Sequence, residues 1–537
     1  MKPAYIKFKI DNEDILQLNK LDLNTKKEST IRATQYSIAN PNFSNNLPKN
    51  YYTDYPILED RKNKILENYK DVTQIWFELE KPKDKHIIED IIKKHFKKYY
   101  PEYKFDLEIQ WGLTKFTEGC YIQEHKDGRD SNRLAGMLIY LNKNYNKENG
   151  GILNIIEPIT GEKIEIIPEF GEAIILDYID NEISHEVTKV TTGERLAICA
   201  FIHKNTSMGK SEKILVTGAS GFIGSQLVKT LQEKGYHNIR TTSFSRDLPN
   251  SIPVKETIEH LKGDLRDAEF CEKVTKDVSI VFHLAANTSN ALDTKYNPLL
   301  HVTPNIEMNV NLMEQSWRNG VKRFMFISSN TVYPDMKNDW CTEDINIHAT
   351  PLVPIYKAVG GMKRYGETLC DFFSNQIHNP MQCVIIRPSN AFGPNDKFDY
   401  EKCHVTPANI RKVADGLNPI PVWGDGSEIR DLLHVEDMAE GILWVAEMAK
   451  GYGIYNVCYG EGFSIKEVLG WLKEMEQNKN PIEYVSNKAP MIPVRLLSSK
   501  KVNDMGWKPK RDLKQALKET LEWYKQNKNL YNPNSKP

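Results

Sequence analysis

The strongest constraint on this chain is a turn. Directly after the apolar run Ile214-Leu215-Val216 comes Gly218-Ala219-Ser220-Gly221-Phe222-Ile223-Gly224, and then an amphipathic stretch carrying Leu227, Val228 and Leu231. A strand that runs into such glycines and opens a helix lets the backbone approach a pyrophosphate that any side chain would hold off. The start of the helix adds free N–H groups and a partial charge of about +0.5. Gly218, Gly221 and Gly224, with Phe222 and Ile223 beside them, are therefore the expected dinucleotide cradle.

The chain is too long to serve that site alone. Its 537 residues exceed the ~250–300 at which a single core stops growing, so two or three domains are expected. Lys+Arg 71 against Asp+Glu 72 leaves a net charge of −1, which gives no electrostatic reason to expect nucleic acid or a membrane as partner. Eight cysteines without a C-x-x-C pair speak against a disulfide framework or a structural zinc, and for a reducing, cytoplasmic setting. No run approaches the ~18 apolar residues of a membrane span. The polar segment from His203 to Glu212 marks the division: one domain over 1–205, a linker over 206–212 and a second domain over 213–530. Met208 in that linker reads either as the relic of an independent start or as a surface methionine.

The two halves differ in pattern. Before the linker, helical periodicity is confined mainly to 86–99. Short strand-like runs follow at 107–111, 134–140, 163–167, 173–176 and 196–201, separated by Gly and Asn turns. That pattern predicts an antiparallel sandwich or barrel. After the linker, apolar strands at 280–282, 324–327 and 383–386 alternate with helical segments, which predicts a doubly wound parallel sheet.

A second set of residues carries different chemistry. His125 and Asp127 stand two apart, so on a strand edge their side chains share a side. His185 would come from a distant strand, and Arg195 follows ten residues later. Two imidazoles and one carboxylate on one face of an Fe(II) leave positions open for a keto acid. An arginine can grip that acid's far carboxylate with two bonds. Unrelated surface histidines are the competing reading.

In that order, and with Gly150-Gly151-Ile152-Leu153 and Gly171-Glu172-Ala173, residues 70–203 resemble the prolyl-4-hydroxylase-like branch of the 2-oxoglutarate/Fe(II) oxygenases. The resemblance implies a double-stranded β-helix (jelly roll) with flanking helices, with His125, Asp127 and His185 on the metal. Arg195 and Tyr121 would contact 2-oxoglutarate, and oxygen would be inserted into a second substrate. Residues 1–70 match no pattern.

The second half resembles an extended short-chain dehydrogenase/reductase of the nucleotide-sugar epimerase/dehydratase family. The resemblance rests on Thr217–Gly224, Gly263-Asp264-Leu265, His283-Leu284-Ala285-Ala286, Ser328–Tyr333 and Arg387–Pro394. It implies an α/β Rossmann fold with a small substrate-binding subdomain, and Asp264, Leu265 and Ala285 among the cofactor contacts. His404-Val405-Thr406-Pro407 and Arg430–Asp437 bring it near the GDP-L-fucose synthases. By that likeness Arg430 contacts the nucleotide diphosphate, His404 lies beside the sugar and Asn390 binds substrate. The second strand ends in Ser245-Arg246, and a cation there suits the 2′-phosphate of NADP over NAD, unless Arg246 is simply a solvated loop residue. A nucleotide-sugar substrate and a homodimer are further implications of the family.

Two departures stand against ordinary turnover. The family's Tyr-x-x-x-Lys pair, completed by a Ser or Thr hydroxyl, moves the proton that matches a hydride. Here Ser329 and Lys363 are present, but Val359 holds the tyrosine position, and Tyr356 lies three residues earlier on nearly the same helical face. Thr331 takes the place of the cysteine that partners the histidine in fucose synthases. The expectation is a bifunctional nucleotide-sugar enzyme. The rivals are an active oxygenase joined to a silent sugar-nucleotide-binding module, and an oxygenase acting on a peptidyl residue.

Overall fold

The computed structural model describes residues 5–20, 28–32, 76–79, 85–101, 103, 107–116, 118–127, 133–158, 160–178, 183–204, 208–288, 297, 299–377, 379–485 and 492–535. The chain divides into two compact units, Met1–Asn205 and Thr206–Pro537.

In the first unit, the larger sheet orders its strands Tyr5–Lys9, Glu172–Asp177, Arg133–Tyr140, Arg195–Lys204, Leu107–Phe116, Trp76–Leu79 and Glu28–Arg32, all antiparallel. The smaller sheet runs Ile122–Lys126, Ser184–Val187, Leu153–Ile156 and Lys163–Ile166. From residue 122 onward the chain passes back and forth between the two sheets, which is a jelly roll. Strand alternation sorts the side chains. Ala173 and Ile175 pack under the helix Lys85–Tyr99 with Ile88, Ile92 and Phe96. Ile174 and Leu176 face the other way, into the space between the sheets with Leu153, Ile155 and Val187. A second helix, Asn12–Lys20, lies in the stretch that matched no pattern. Its Asp14 pairs with the buried His95 at 2.8 Å and with Lys94.

The second unit is built on seven parallel strands in the order Glu259–Lys262, Ile239–Ser243, Ile214–Thr217, Ile280–His283, Arg323–Ile327, Gln382–Pro388 and Gly453–Val457. The strands are short and, apart from the edge strand Glu259–Lys262, buried, and apolar clusters cover both faces, as a doubly wound sheet requires. The order reverses beside Ile214–Thr217, and that switch point is where such sheets bind ligands. A separate core with Phe392, Phe398, Ile410, Leu469 and Leu517 forms the subdomain.

The segment read as a polar linker is bound down from residue 208. Met208 is half-buried and packs against the core of the second unit. Glu212 accepts from Lys322 and from the Gly209 amide. Thr206 and Ser207 lie outside the described residues. Among the described residues no helix is long and apolar enough to cross a membrane.

Two candidate active sites

The first site is assembled by strand register. His185 stands directly opposite His125 on the antiparallel pair Ser184–Val187 and Ile122–Lys126. Their rings are 4.4 Å apart between centroids. Asp127 follows the end of its strand, with one oxygen 3.7 Å from His125 Nε2 and the other 3.8 Å from His185 Nε2. The three ligand atoms lie within 4.8 Å of one another. Burial, more than any neighbouring charge, holds the His185 imidazole below its ordinary range, which favours the neutral form that binds metals.

Arg195 begins the strand Arg195–Lys204 and is 1 % exposed. Its guanidinium lies 5.3 Å from the Phe116 ring and 5.2 Å from the Tyr140 ring, and it donates to the Tyr140 hydroxyl at 3.5 Å. Its Nε has no hydrogen-bond partner. Among the described residues no carboxylate stands within ion-pair distance of it. A Cβ on Gly151 would fall 2.8 Å from Tyr145 Oη and 3.0 Å from Arg195 Cδ, so that glycine keeps the space around the arginine open. Tyr121 is half-buried, just before the His125 strand.

The second site begins at the glycine turn. Gly218 has φ +66°, and a Cβ there would meet the Ala285 backbone at 2.8 Å. One on Gly224 would stand 2.3 Å from Gly218 O. The helix Phe222–Glu233 is capped by Gly221 with no side-chain hydrogen bond, so its first N–H groups stay available. Phe222 and Ile223, in the first turn, are half-buried. The Thr217 hydroxyl accepts from the Leu284 and Ala285 amides, 3.1 Å each, and therefore gives its proton to His283 Nδ1 at 2.9 Å. His283 Nε2–H then faces Asn309 Oδ1 at 2.9 Å. Burial pushes this neutral imidazole down to about 4. Leu265 is buried. Asp264 is gripped by Arg266 at 2.6 Å, which lowers its pKa. Arg246 is exposed.

Ser329 Oγ accepts from Thr331 Oγ1 at 2.9 Å. The helix Lys357–Asn375 approaches this loop so closely that a Cβ on Gly360 would fall 2.5 Å from the Thr331 carbonyl. Val359, beside that glycine, is one turn before Lys363. Lys363 donates to the Ile327 carbonyl at 2.7 Å, and burial lowers its pKa to about 8. Tyr356 is the residue capping this helix, seven positions from Lys363, or ~10 Å along an α-helical axis. Below them, Glu367 and Arg387 form a buried two-bond pair at 3.0 and 2.6 Å, joined by the Ser328 hydroxyl at 2.5 Å. In the subdomain, Asn390 donates to the Asp431 carbonyl at 3.2 Å, and Arg430 donates to the Ile429 carbonyl at 2.9 Å. His404 is exposed at the start of the helix Val405–Ala414.

The motif reading passed over several residues at both sites. Tyr178 donates to Asp127 Oδ2 at 2.5 Å. Tyr140, Tyr145 and Phe116 surround Arg195. Thr217 and His283, parts of the resemblance that were given no role, tie the adjacent strands Ile214–Thr217 and Ile280–His283 beneath the glycine turn. The phenols carry no local motif, since each acts across strands.

Comparison with known proteins agrees with this division. Residues 111–203 match the 2OG-Fe(II) oxygenase superfamily, and residues 214–458 match the NAD dependent epimerase/dehydratase family. GDP-L-fucose synthase 1 of Arabidopsis thaliana is 28% identical over 323 residues, covering 59% of this chain and 94% of its own. The GDP-L-colitose synthase of Yersinia pseudotuberculosis is 25% identical over 322 residues, 59% and 99% of the two chains. The UDP-glucose 4-epimerase of Thermotoga maritima, solved with UDP-glucose, is 25% identical with a TM-score of 0.53, over 59% of this chain and 99% of that one. The chain thus joins a 2OG-Fe(II) oxygenase-like domain to an NAD dependent epimerase/dehydratase domain close to the GDP-L-fucose synthases.

Proposed function

We propose that this protein is a bifunctional nucleotide-sugar enzyme: Fe(II)- and 2-oxoglutarate-dependent hydroxylation in the first unit, NAD(P)-dependent oxidoreduction or epimerisation of an NDP-sugar in the second. One observation carries the first half. Arg195 is a buried cation without a carboxylate partner among the described residues, in the same unit as the His125–Asp127–His185 cluster. A buried charge of this kind calls for an anionic ligand, and the five-carbon keto acid supplies one. His125, Asp127 and His185 would hold the metal, Arg195 the far carboxylate, and Tyr121 an edge of the keto acid. When bound, iron and 2-oxoglutarate supply the oxygen-inserting chemistry. The aromatic walls Phe116 and Tyr140 keep water from the Arg195 contact and so strengthen it.

In the second unit the open cradle of Gly218, Gly221 and Gly224, with Ala285 beside it, fits a dinucleotide pyrophosphate, and Leu265 would be a cofactor contact by the family likeness. Arg246 favours NADP. The sugar nucleotide, a GDP-sugar by likeness to the relatives, would meet Arg430, Asn390 and His404. Ser329, Thr331 and Lys363 would offer the proton relay, with Tyr356, three residues before Val359, as the substitute phenol.

A second reading rests on Val359. A valine one turn before Lys363 can neither give nor take a proton, so the second unit would bind a sugar nucleotide and leave the chemistry to the oxygenase. Mass spectrometry of GDP-, dTDP- and UDP-sugars incubated with the protein tests both. A gain of one oxygen only with Fe(II) and 2-oxoglutarate supports one substrate for both units. Consumption of 2-oxoglutarate with every sugar unchanged removes the sugar from the oxygenase reading. Loss of a wild-type oxidoreductase activity in Lys363→Met or Tyr356→Phe eliminates the silent-module reading. Turnover that arises only in Val359→Tyr supports it.

A further inference from the structure

We propose that Tyr178 is a positioning residue for Asp127, holding one carboxylate oxygen so that the other is presented to the metal. The inference rests on the iron reading of His125, Asp127 and His185. Asp127 lies past the end of the Ile122–Lys126 strand, so the ladder that fixes His125 and His185 does not fix it. Its restraint comes from the other sheet. Tyr178 closes the strand Glu172–Asp177, its amide donates to the Leu134 carbonyl at 3.1 Å, and its hydroxyl reaches Asp127 Oδ2 at 2.5 Å. That oxygen, 3.8 Å from His185 Nε2, carries the phenol's hydrogen bond, and Oδ1, 3.7 Å from His125 Nε2, would be the one presented to the metal.

The neighbouring strand is shaped for this contact. Gly136 sits in the buried strand Arg133–Tyr140, where a glycine weakens pairing and marks close approach of another group. A Cβ there would fall 2.6 Å from Tyr178 Oη and 3.1 Å from its Cζ. The glycine therefore clears the slot in which the ring lies. Gly136 makes room for the ring, and Tyr178 Oη reaches the carboxylate oxygen.

The test uses the full chain freed of metal by chelation and titrated anaerobically with Co(II). Calorimetry reads affinity, and the visible absorption of bound Co(II) reads its coordination. Tyr178→Phe keeps the ring and removes only the hydroxyl. It is expected to weaken Co(II) by ~10–100-fold, as loss of a partner behind a metal ligand does, and to change the absorption. Gly136→Ala displaces the ring with its hydroxyl intact and is expected to act in the same direction. If both variants bind within about twofold of wild type, with the same absorption, Tyr178 is only a satisfied core hydroxyl and the proposal is overturned. Should circular dichroism show one variant unfolded, the other decides. His125→Ala separates the two levels: wild type binding no tighter than His125→Ala removes the iron reading itself, and Tyr178 with it.

Discussion

Arg195 and Arg387 are both 1 % exposed and differ in one respect. Arg387 is met by Glu367 through two bonds, and Arg195 meets no carboxylate among the described residues. Their replacement by methionine should therefore have opposite consequences. Arg387→Met strands Glu367 in the core, a loss of ~3–5 kcal/mol for the second unit. Arg195→Met removes a charge whose burial costs several kcal/mol, against two aromatic contacts of ~0.5–2 kcal/mol each. These roughly balance, and the first unit free of ligand should unfold within about 1 kcal/mol of wild type. Ligand binding is where the loss should appear. Two charge-assisted bonds to the far carboxylate are worth ~1.5–3 kcal/mol each, so affinity for 2-oxoglutarate should fall by ~10²–10⁴. Scanning calorimetry with and without Mn(II) and 2-oxoglutarate reads both effects. Wild type at a hundred times Kd should gain ~2.7 kcal/mol, and the variant almost nothing. Retention of 2-oxoglutarate affinity to within about tenfold would refute the reasoning. So would a ligand-free first unit that loses as much stability as Arg387→Met takes from the second.

Gly224→Ala places a Cβ 2.3 Å from Gly218 O and should abolish binding of reduced nicotinamide cofactor, read by its fluorescence; unchanged binding dismisses the cradle. Arg246→Ala should weaken NADP more than NAD, and equal effects on both end the case for a 2′-phosphate contact. His283, held down to about 4 by burial, titrates near 6.5 when unfolded. Between those values the unfolded chain takes a proton that the folded one refuses. Stability present above pH ~6.5 is therefore lost as pH falls through ~4, by about 3 kcal/mol in all. Urea unfolding of wild type against His283→Asn isolates this slope, since Asp396, Asp431 and His434 titrate in both. A difference that is flat across that window contradicts the neutral, hydroxyl-bound imidazole.

The parts legible in sequence were those whose physics is local. Glycines 218, 221 and 224 announce themselves because only a bare backbone fits against Ala285 and Gly218. The strand at 134–140 shows as an apolar run because both its faces are covered. Ile122–Lys126 and Ser184–Val187, four or five residues long and mixed in polarity, were expected as strands only through their histidines and not from an apolar pattern. The helix Asn12–Lys20 had a visible signal in Glu13 and Asp14 at its first turn, but it is short, and its apolar face is completed by packing. Tyr178 could not be assigned from its neighbours, since its partner is 51 positions away. Gly136, inside an apolar strand, was the one hint. The resemblance assigns Asp264 to the cofactor, and it does not reveal that Arg266 turns back onto that carboxylate.

The rung that pairs His125 with His185 also sets which changes of length the first unit can absorb. Moving either short strand by one residue would turn its imidazole through the sheet to the opposite side. The turn that joins Leu153–Ile156 to Lys163–Ile166 carries no such residue, and at Gly161, φ +69°, a side chain would meet only open space. Insertions by evolution or by design should therefore collect at that tip, where the chain can grow a new surface. The two strands bearing histidines should keep their lengths even where their other residues drift.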